Sequence, residues 1–571
     1  MDSKIALEIL QKAEKENALN NNKLNIIKKN IAKKHRLRNI PTNIDLLTSI
    51  PHEFINRYKD IITTKPVRTA SGVAVIAIMT KPFQCPHGKC IYCPGGPKSY
   101  FGNVPQSYTG NEPATLRGIR NNFNPYLQIF NRLEQYIVMG QNPEKVELII
   151  MGGTFPSFNK KYKTNFIRDS FKAMNDFSEN FYSNNELNIE KFKKFFILPG
   201  SVNDKKRILK IQKNISLIKS KKINFQKEKL KNENSNIRCV ALCIETRPDF
   251  CKKRNINELL EFGTTRVELG VQTLNENILK LINRGHTLRD IVSATQLMKD
   301  SFLKVGYHIM PGLPGISKEE DIKTFRELFS NPNYMPDALK IYPTMVMPGT
   351  ELEQMYKSGK YKSLKTEDAA EIIAESKKYF PEWVRIMRVQ RDIPTRLAIS
   401  GVDMNNLRQL VNSIAKKKNI RCRCIHCREP KNLRFKDKID LDNIKIRTQK
   451  YNASKGMEVF VSANDEKNDI LLGFCRLRIP HKPFRREITS RSAGIRELHV
   501  YSRAVGIGKK NDNSLQHRGL GKKLLNEVEK IAHDGYDIKK LLVISGVGVR
   551  QYYYKQGYKP DGVYVSKILG R

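Results

Sequence analysis

Between residues 71 and about 345, short apolar, β-branched runs alternate with segments of helical period. The runs are VAVIAIM (73–79), VELIIM (146–151), CVALCIE (239–245), RVELG (266–270), KVGYHIM (304–310) and ALKIY (338–342). A strand that is apolar along its length is covered on both faces, and helical crossovers between such strands make the sheet parallel. Six units of this kind predict a partial (β/α)6 barrel in an α/β chain. From about residue 440 the pattern changes to antiparallel-type strands. MEVFVSAND and DILLGFCRLRIP read as a hairpin pair and IRELHVYSRAV as a further strand. QHRGLGKKLLNEVEKIA begins a helix whose apolar face is Leu520, Leu524, Leu525, Val528 and Ile531. KLLVISGVGVRQYYYKQGY then reads as a strand, a glycine turn and an aromatic helix. The expected regions are 1–70 (basic and helical), 71–385 (the barrel), 386–440 (a linker) and 441–571. The Lys/Asn-rich stretch 201–236 is expected to be a surface insertion.

Charge adds a partner to this outline. Lys and Arg number 102 against 57 Asp and Glu, a net +45 over 571 residues. Such an excess repels itself unless a polyanion is near, and nucleic acid is the natural one. A Lys-, Asn- and Ile-rich composition also follows from AT-rich coding, but that does not explain why acidic residues fail to balance the lysines. The run KLNIIKKNIAKKHRLR (Lys23–Arg38) is either a solvated amphipathic helix or a phosphate-binding arm. The N-terminus lacks a signal-peptide core, and no run of eighteen apolar residues appears, so no membrane span is expected. Ten cysteines are too few for a disulfide scaffold, and their clustering suits metal binding in a reducing, cytoplasmic setting.

The cysteine clusters carry the candidate chemistry. KPFQCPHGKCIYCPGGP places Cys85, Cys90 and Cys93 in one loop after the first predicted strand. Three thiolates can hold three irons of a [4Fe–4S] cluster and leave the fourth open to the amino and carboxylate groups of S-adenosylmethionine. A three-thiol zinc knuckle is the alternative. In α/β barrels the active site lies at the carboxyl ends of the strands. Gly152 and Gly153, Glu245 and Gln272 stand at those ends and are candidate cofactor contacts, with Tyr92 expected near the adenine. A second group, Cys422, Cys424 and Cys427, suggests a small zinc site with no evident fourth ligand, or else free cysteines.

Further along, Q-x-x-G-x-G opening a helix is how an acyltransferase holds coenzyme A, its first-turn N–H groups binding the pyrophosphate. Here the pattern is Gln516, Gly519 and Gly521, with Arg518 and Lys522 adding charge. The strand and Tyr-bearing helix that follow resemble those of GNAT acetyltransferases. Tyr552 and Tyr553 are expected to flank a thioester, and Tyr558 to pack in the core.

A barrel with such a cysteine loop resembles the radical-SAM superfamily, although the usual spacing there is C-x3-C-x2-C and this chain has x4. With CPHGKCIYCPGGP, QSYTGNEP, IIMGGTFPS, IETRPDFC, NRGHT, GYHIMPGLPG, RCRCIHCRE, ELHVY, QHRGLGKKLL and SGVGVRQYY, the chain resembles the catalytic subunit of Elongator over residues 40–571. That resemblance implies a radical-SAM barrel fused to a GNAT domain. It implies that an adenosyl radical takes hydrogen from the methyl of acetyl-CoA, that the carbon radical adds to carbon 5 of the wobble uridine of tRNA, and that thioester hydrolysis leaves a carboxymethyl group. It implies cluster ligands Cys85, Cys90 and Cys93. It implies acetyl-CoA contacts at Lys145, at Glu497, Leu498, His499 and Val500, at Leu515, Gln516 and His517, and at Tyr553, and a metal-bearing linker at 422–427. Lys145 is equally readable as a solvated surface lysine. Elongator-like accessory subunits or a homodimer are the expected protein partners. A protein lysine acetyltransferase with a structural cluster, and a non-catalytic tRNA-binding scaffold, are the rival readings.

Overall fold

A computed structural model describes residues 2–18, 21–37, 39–62, 72–141, 143–201, 203–219, 224–430, 443–501 and 519–570. The N-terminal region is four helices, α1 (Ser3–Lys15), α2 (Asn21–Lys34), α3 (Asn43–Ser49) and α4 (His52–Ile62). They have a core of their own, including Ala6, Ile9, Leu10, Leu24, Ile27, Ile31, Leu46 and Tyr58. Leu24, Ile27 and Ile31 recur at helical spacing, so α2 buries that stripe and turns Lys23, Lys29, Lys33 and Lys34 to solvent. Lys28 is buried and bonds Asn43, and burial lowers its pKa.

All six predicted strands form: β1 (Ala74–Met79), β2 (Lys145–Met151), β3 (Arg238–Thr246), β4 (Arg266–Gln272), β5 (Lys304–Ile309) and β6 (Ala338–Ile341). A seventh, β7 (Arg385–Val389), pairs in parallel with β6 and carries the sheet past the boundary expected at 385. Its Arg385 and Arg388 interrupt the apolar run that marked the others. The sheet order follows the chain, and every pairing is parallel. The carboxyl ends therefore form one mouth and the amino ends the opposite one.

The stretch 201–236, expected to be a surface insertion, carries helices that pack on the barrel core. It forms helices Lys205–Ile218 and Phe225–Asn232. Ile211 and Ile215 join the barrel core, and the buried Arg207 pairs with Glu134 at 2.7 Å. Asn232 accepts the N–H of Cys239 at 2.8 Å, tying the stretch to β3. Lys/Asn-rich composition hid a packed layer because only a few residues of each helix, Ile211 and Ile215 among them, face the core, while Leu209, Leu217 and Leu230 stay exposed.

The C-terminal domain is a second seven-stranded sheet of GNAT type. Its strands are β8 (Ile444–Ala453), β9 (Gly456–Asp465), β10 (Ile470–Ile479), β11 (Ser492–Val500), β12 (Lys540–Val543), β13 (Lys559–Asp561) and β14 (Tyr564–Ile568), in the order β8-β9-β10-β11-β12-β14-β13. Helix Leu520–Tyr536 covers one face. The other face meets the barrel. Close approach is set by glycine: a Cβ on Gly494 would enter the Phe302 ring, one on Gly546 would strike the Val240 carbonyl, and one on Gly548 the Arg238 side chain. Trp383 stacks on Tyr451 at 4.1 Å and 6°. Between them lies a buried charge network joining Lys299, Asp300 and Asp337 of the barrel to Glu458, Arg476, Arg478 and Arg496. Among the described residues no helix is long and apolar enough to cross a membrane.

Candidate active site

The loop after β1 brings the first three cysteines to the carboxyl mouth. Cys90 and Cys93 are buried and Cys85 half-buried. Cys93 Sγ donates to Gln106 Oε1 at 3.1 Å, and Arg284 Nη1 donates to Cys90 Sγ at 3.5 Å. His87 Nε2 lies 3.3 Å from Cys90 Sγ, and Thr154 Oγ1 lies 3.8 Å from Cys85 Sγ. The Gly270 carbonyl accepts from Arg284 at 2.6 and 3.1 Å and fixes the guanidinium. Burial, reinforced by Cys90, pushes the Cys93 thiol up to about 11. A bound metal reverses that preference, because a coordinating thiol is deprotonated outright.

Two observations bear on what this loop can hold. The sulfurs of Cys422, Cys424 and Cys427 lie within 4.8 Å of one another, and those of Cys85, Cys90 and Cys93 do not. A tight triad suits one ion; a wider one suits a multi-iron cluster. The mouth also carries buried polar atoms with no partner: Tyr92 Oη, His87 Nδ1, Thr246 Oγ1, Arg247 Nη1, Gln272 Oε1 and both nitrogens of His286. Such atoms are costly unless something bonds them. Burial beside Arg284 and Arg247 pushes His286 down to about 2, so it is neutral. The residues fit a cluster and a polar cofactor. Gly152 (φ 122°) lies against Thr80, and a Cβ on Gly153 (φ 105°) would sit 3.8 Å from Cys85 Sγ, so this pair lets the end of β2 lie under the cysteine loop. Glu245 turns into the barrel, where it accepts from Lys340 at 2.8 Å and Tyr108 at 3.2 Å.

In the C-terminal domain, β11 and β12 pair only from Ser492–Lys540 to Ile495–Val543 and then part. Glu497, Leu498, His499 and Val500 lie beyond the last pair. Leu498 and Val500 pack toward the helix, while Glu497 bonds Lys304 at the start of β5 and Arg476 at 3.0 Å. Burial pushes His499 down to about 4, and its Nε2 has no partner. Gly519 opens the helix with φ 73°, in open space, and a Cβ on Gly521 would lie 3.0 Å from Tyr552 Oη. Tyr552 is partly exposed at that helix start, whereas Tyr553 is buried in the domain core, 5.7 Å from the Tyr558 ring. Tyr553 thus shares the packing role expected of Tyr558 alone. Leu515, Gln516, His517 and Arg518 lie outside the described residues.

Lys145 begins β2 beside Arg238, whose side chain touches Gly548 of the glycine turn. It is only part-exposed, and burial lowers its pKa. Its strand neighbour therefore touches the C-terminal domain. The second cysteine triad sits around helix Ile425–Arg428, anchored by the Ile425 N–H to the Val384 carbonyl at 2.9 Å. His426 faces Glu429 at 2.9 Å, and Cys475 lies in β10 within the other core.

Comparison with known proteins agrees with this layout. The model of the ELP3 N-terminal domain matches residues 2–70, that of the radical SAM superfamily residues 81–328, and that of the radical SAM C-terminal domain residues 336–417. The chain is 45% identical over 565 residues to the tRNA uridine(34) acetyltransferase of Methanocaldococcus jannaschii, covering 98% of this chain and 96% of that one. The chain belongs to the Elongator catalytic subunit family. Elongator complex protein 3 of Saccharomyces cerevisiae is 38% identical over 554 residues, 96% of this chain and 92% of its own. The archaeal Methanocaldococcus infernus Elp3 with its N-terminus deleted superposes with a TM-score of 0.70 at 40% identity, covering 88% of this chain and all of that one. The motifs NRGHT and QSYTGNEP deliver Arg284 and Gln106 to the cysteines. Lys340, Glu268 and His308 escaped sequence reasoning because they lie inside runs that read as apolar.

Proposed function

We propose that this protein modifies the wobble uridine of tRNA, using S-adenosylmethionine radical chemistry and acetyl-CoA to install a carboxymethyl group at carbon 5. The observation that carries the reading is one barrel with a cysteine loop at its carboxyl mouth and a GNAT-type sheet docked on its other side. The relatives' names add the substrate: proteins 45% identical over nearly the whole chain are called tRNA uridine(34) acetyltransferases. Cys85, Cys90 and Cys93 would hold the cluster, with Gly152, Gly153 and Gln272 nearby for the cofactor. When bound, cluster and S-adenosylmethionine together supply a radical able to attack an unactivated methyl. Lys145, Glu497–Val500, residues 515–518, Gly519, Gly521, Tyr552 and Tyr553 are the assigned acetyl-CoA contacts. Of the two tyrosines, Tyr552 has the position to meet the thioester. Cys422, Cys424 and Cys427 would hold a structural zinc. The exposed lysines of α2, with net charge +45, suit the tRNA backbone in the cytoplasm.

The test is anaerobic incubation of tRNA with the reconstituted enzyme, reductant, S-adenosylmethionine and acetyl-CoA, followed by nucleoside mass spectrometry. Carboxymethyluridine formed only with all components supports the reading. Acetylated lysine peptide without S-adenosylmethionine, and no modified uridine, overturns it.

A further inference from the structure

The interior of the barrel is unusual for its class. Barrel interiors are filled mainly by bulky branched side chains. Here the inward positions of β2 to β6 include Glu147, Glu245, Arg266, Glu268, His308 and Lys340. Parallel register puts Glu245 beside Glu268, and Lys340 beside His308. The contacts form a continuous file. Tyr108 donates to Glu245 at 3.2 Å, Lys340 bridges Glu245 and Glu268, Arg266 Nε lies 3.1 Å from Glu268, and Arg266 reaches Glu147 at 2.5 Å. His308 Nε2 lies 3.0 Å from Glu268 Oε2. One end is next to the cysteines: Tyr108 is two residues from Gln106, the acceptor of the Cys93 thiol.

Three features describe this file. It holds the carboxylates Glu147, Glu245 and Glu268 around Lys340 and Arg266, and Arg388 and Arg385 of β7 are further cations acting on Glu245 and Glu147. It is also incompletely bonded. Arg266 Nη2 has no hydrogen-bond partner although the residue is more than nine-tenths buried, and Arg266 Nε–H is directed at Cys243 Sγ while it lies 3.1 Å from Glu268 Oε1. Small residues Gly306, Ala241 and Ala338 lie on the same inward rows. Finally, it is not a vacant cation site. The donor atoms of Glu245, Glu268 and His308 do lie within 4.8 Å of one another, but the Lys340 ammonium already bonds both carboxylates. Burial disfavours charge on Glu268, yet Lys340 and Arg266 outweigh it and hold that carboxyl well below the usual range.

The proposed reaction has a step that needs such a group. When a carbon radical adds to carbon 5 of uracil, that carbon keeps its hydrogen and gains a substituent, and the unpaired electron moves to carbon 6. Restoring the ring double bond breaks the carbon 5–hydrogen bond. The hydrogen leaves as a proton, and one electron passes to an acceptor of the iron–sulfur class. Within the barrel's carboxyl mouth a positioned carboxylate can accept that proton. Resting on the function proposed above, we propose that Glu245 takes the proton from carbon 5 of the uridine and that Lys340, which bonds both Glu245 and Glu268, holds Glu245 in place for it. Glu245 is next to last in β3, so its carboxylate is reachable from the carboxyl mouth.

The experiment is a single turnover of the reconstituted enzyme on tRNA made with uridine carrying hydrogen or deuterium at carbon 5. Both 5′-deoxyadenosine and carboxymethyluridine are measured. In the wild type the two form together with no isotope effect. In Glu245→Gln, product per 5′-deoxyadenosine falls on the order of 10²-fold, the usual value of a positioned acid–base group, and a primary isotope effect from carbon 5 appears. Glu245→Asp, which keeps the carboxylate, recovers part of the coupling, and Lys340→Met lowers it. If 5′-deoxyadenosine and product fall in proportion in Glu245→Gln, with no isotope effect, Glu245 only holds the cofactor or the fold and the proposal is wrong. If the wild type makes no carboxymethyluridine, the functional reading itself fails, whatever the variants do.

Discussion

The two mouths of the barrel are built on opposite principles. At the carboxyl mouth the thiols lie among neutral polar groups buried without partners, Tyr92, Gln272 and His286 among them. At the amino side, charges are more deeply buried but heavily paired. Arg496 bonds Asp337 and Glu458, Arg478 bonds Asp300, and Glu497 bonds Lys304 and Arg476. Burial works against ionisation of Asp337, but Arg496, Lys299 and Arg476 outweigh it and hold its carboxyl far below the usual range. Unpaired buried groups destabilise a fold and are kept where a ligand completes them. Densely paired networks hold elements in register. The first mouth is arranged for ligands and the second for docking two domains.

Substitutions at the two mouths should therefore fail differently. The largest effect is expected from Cys90→Ser, which leaves two thiolates for the cluster. Iron content, the brown chromophore, S-adenosylmethionine cleavage and uridine modification should all be lost, with the thermal unfolding of the C-terminal domain unchanged. Retained modification would sink the division of labour between the mouths.

Arg496→Met is the converse. It leaves the buried Asp337 and Glu458 short of their main cation, and breaking a buried pair from one side costs about 3–5 kcal/mol. Denaturant unfolding should show that loss while the reconstituted cluster spectrum stays normal.

Acid should sharpen the same contrast. The folded protein holds Glu497 at about 2: burial opposes ionisation, but Lys304 and Arg476 outweigh it. A depressed carboxyl contributes stability that is present above its unfolded value near 4.5 and is lost as pH falls through the folded value. Docking should weaken between pH 4.5 and 2, by about 3 kcal/mol from this group. Glu497→Gln should flatten stability over that window in a urea-by-pH series.

The smallest of the four effects is expected at the cysteine loop's outer shell. Arg284→Met removes the donor to Cys90 but no ligand. Partners one bond removed from a metal typically alter affinity or activity 10–100-fold, so about that loss is expected, read as iron retained under chelator challenge. An unchanged chelator sensitivity would make Arg284 a packing residue only.

Much of this was legible along the chain, and the exceptions share a cause. The six apolar runs became strands within one or two residues, because a doubly covered strand must be apolar almost throughout. Residues 385–389 were missed since Arg385 and Arg388 point into a polar barrel interior. The packing of residues 201–236 was not legible because the helices there bury only one narrow stripe each. Tyr552 and Tyr553 were indistinguishable as neighbours; a helix sends adjacent side chains about 100° apart, so one meets Gly521 and the other the core.

By itself the sequence determined the elements, the cysteine triads and their order, since these depend on local period and spacing. Tertiary structure alone decided the rest. It set the wide separation of one triad and the tightness of the other. It paired Asp337 with Arg496, residues far apart in the chain. It assembled the Glu245–Lys340–Glu268 file from three separate strands. Charge pairing and burial depend on distance in space, which chain spacing does not encode, so the same glutamate letter stands for a saturated clamp at 497 and for a proposed proton acceptor at 245.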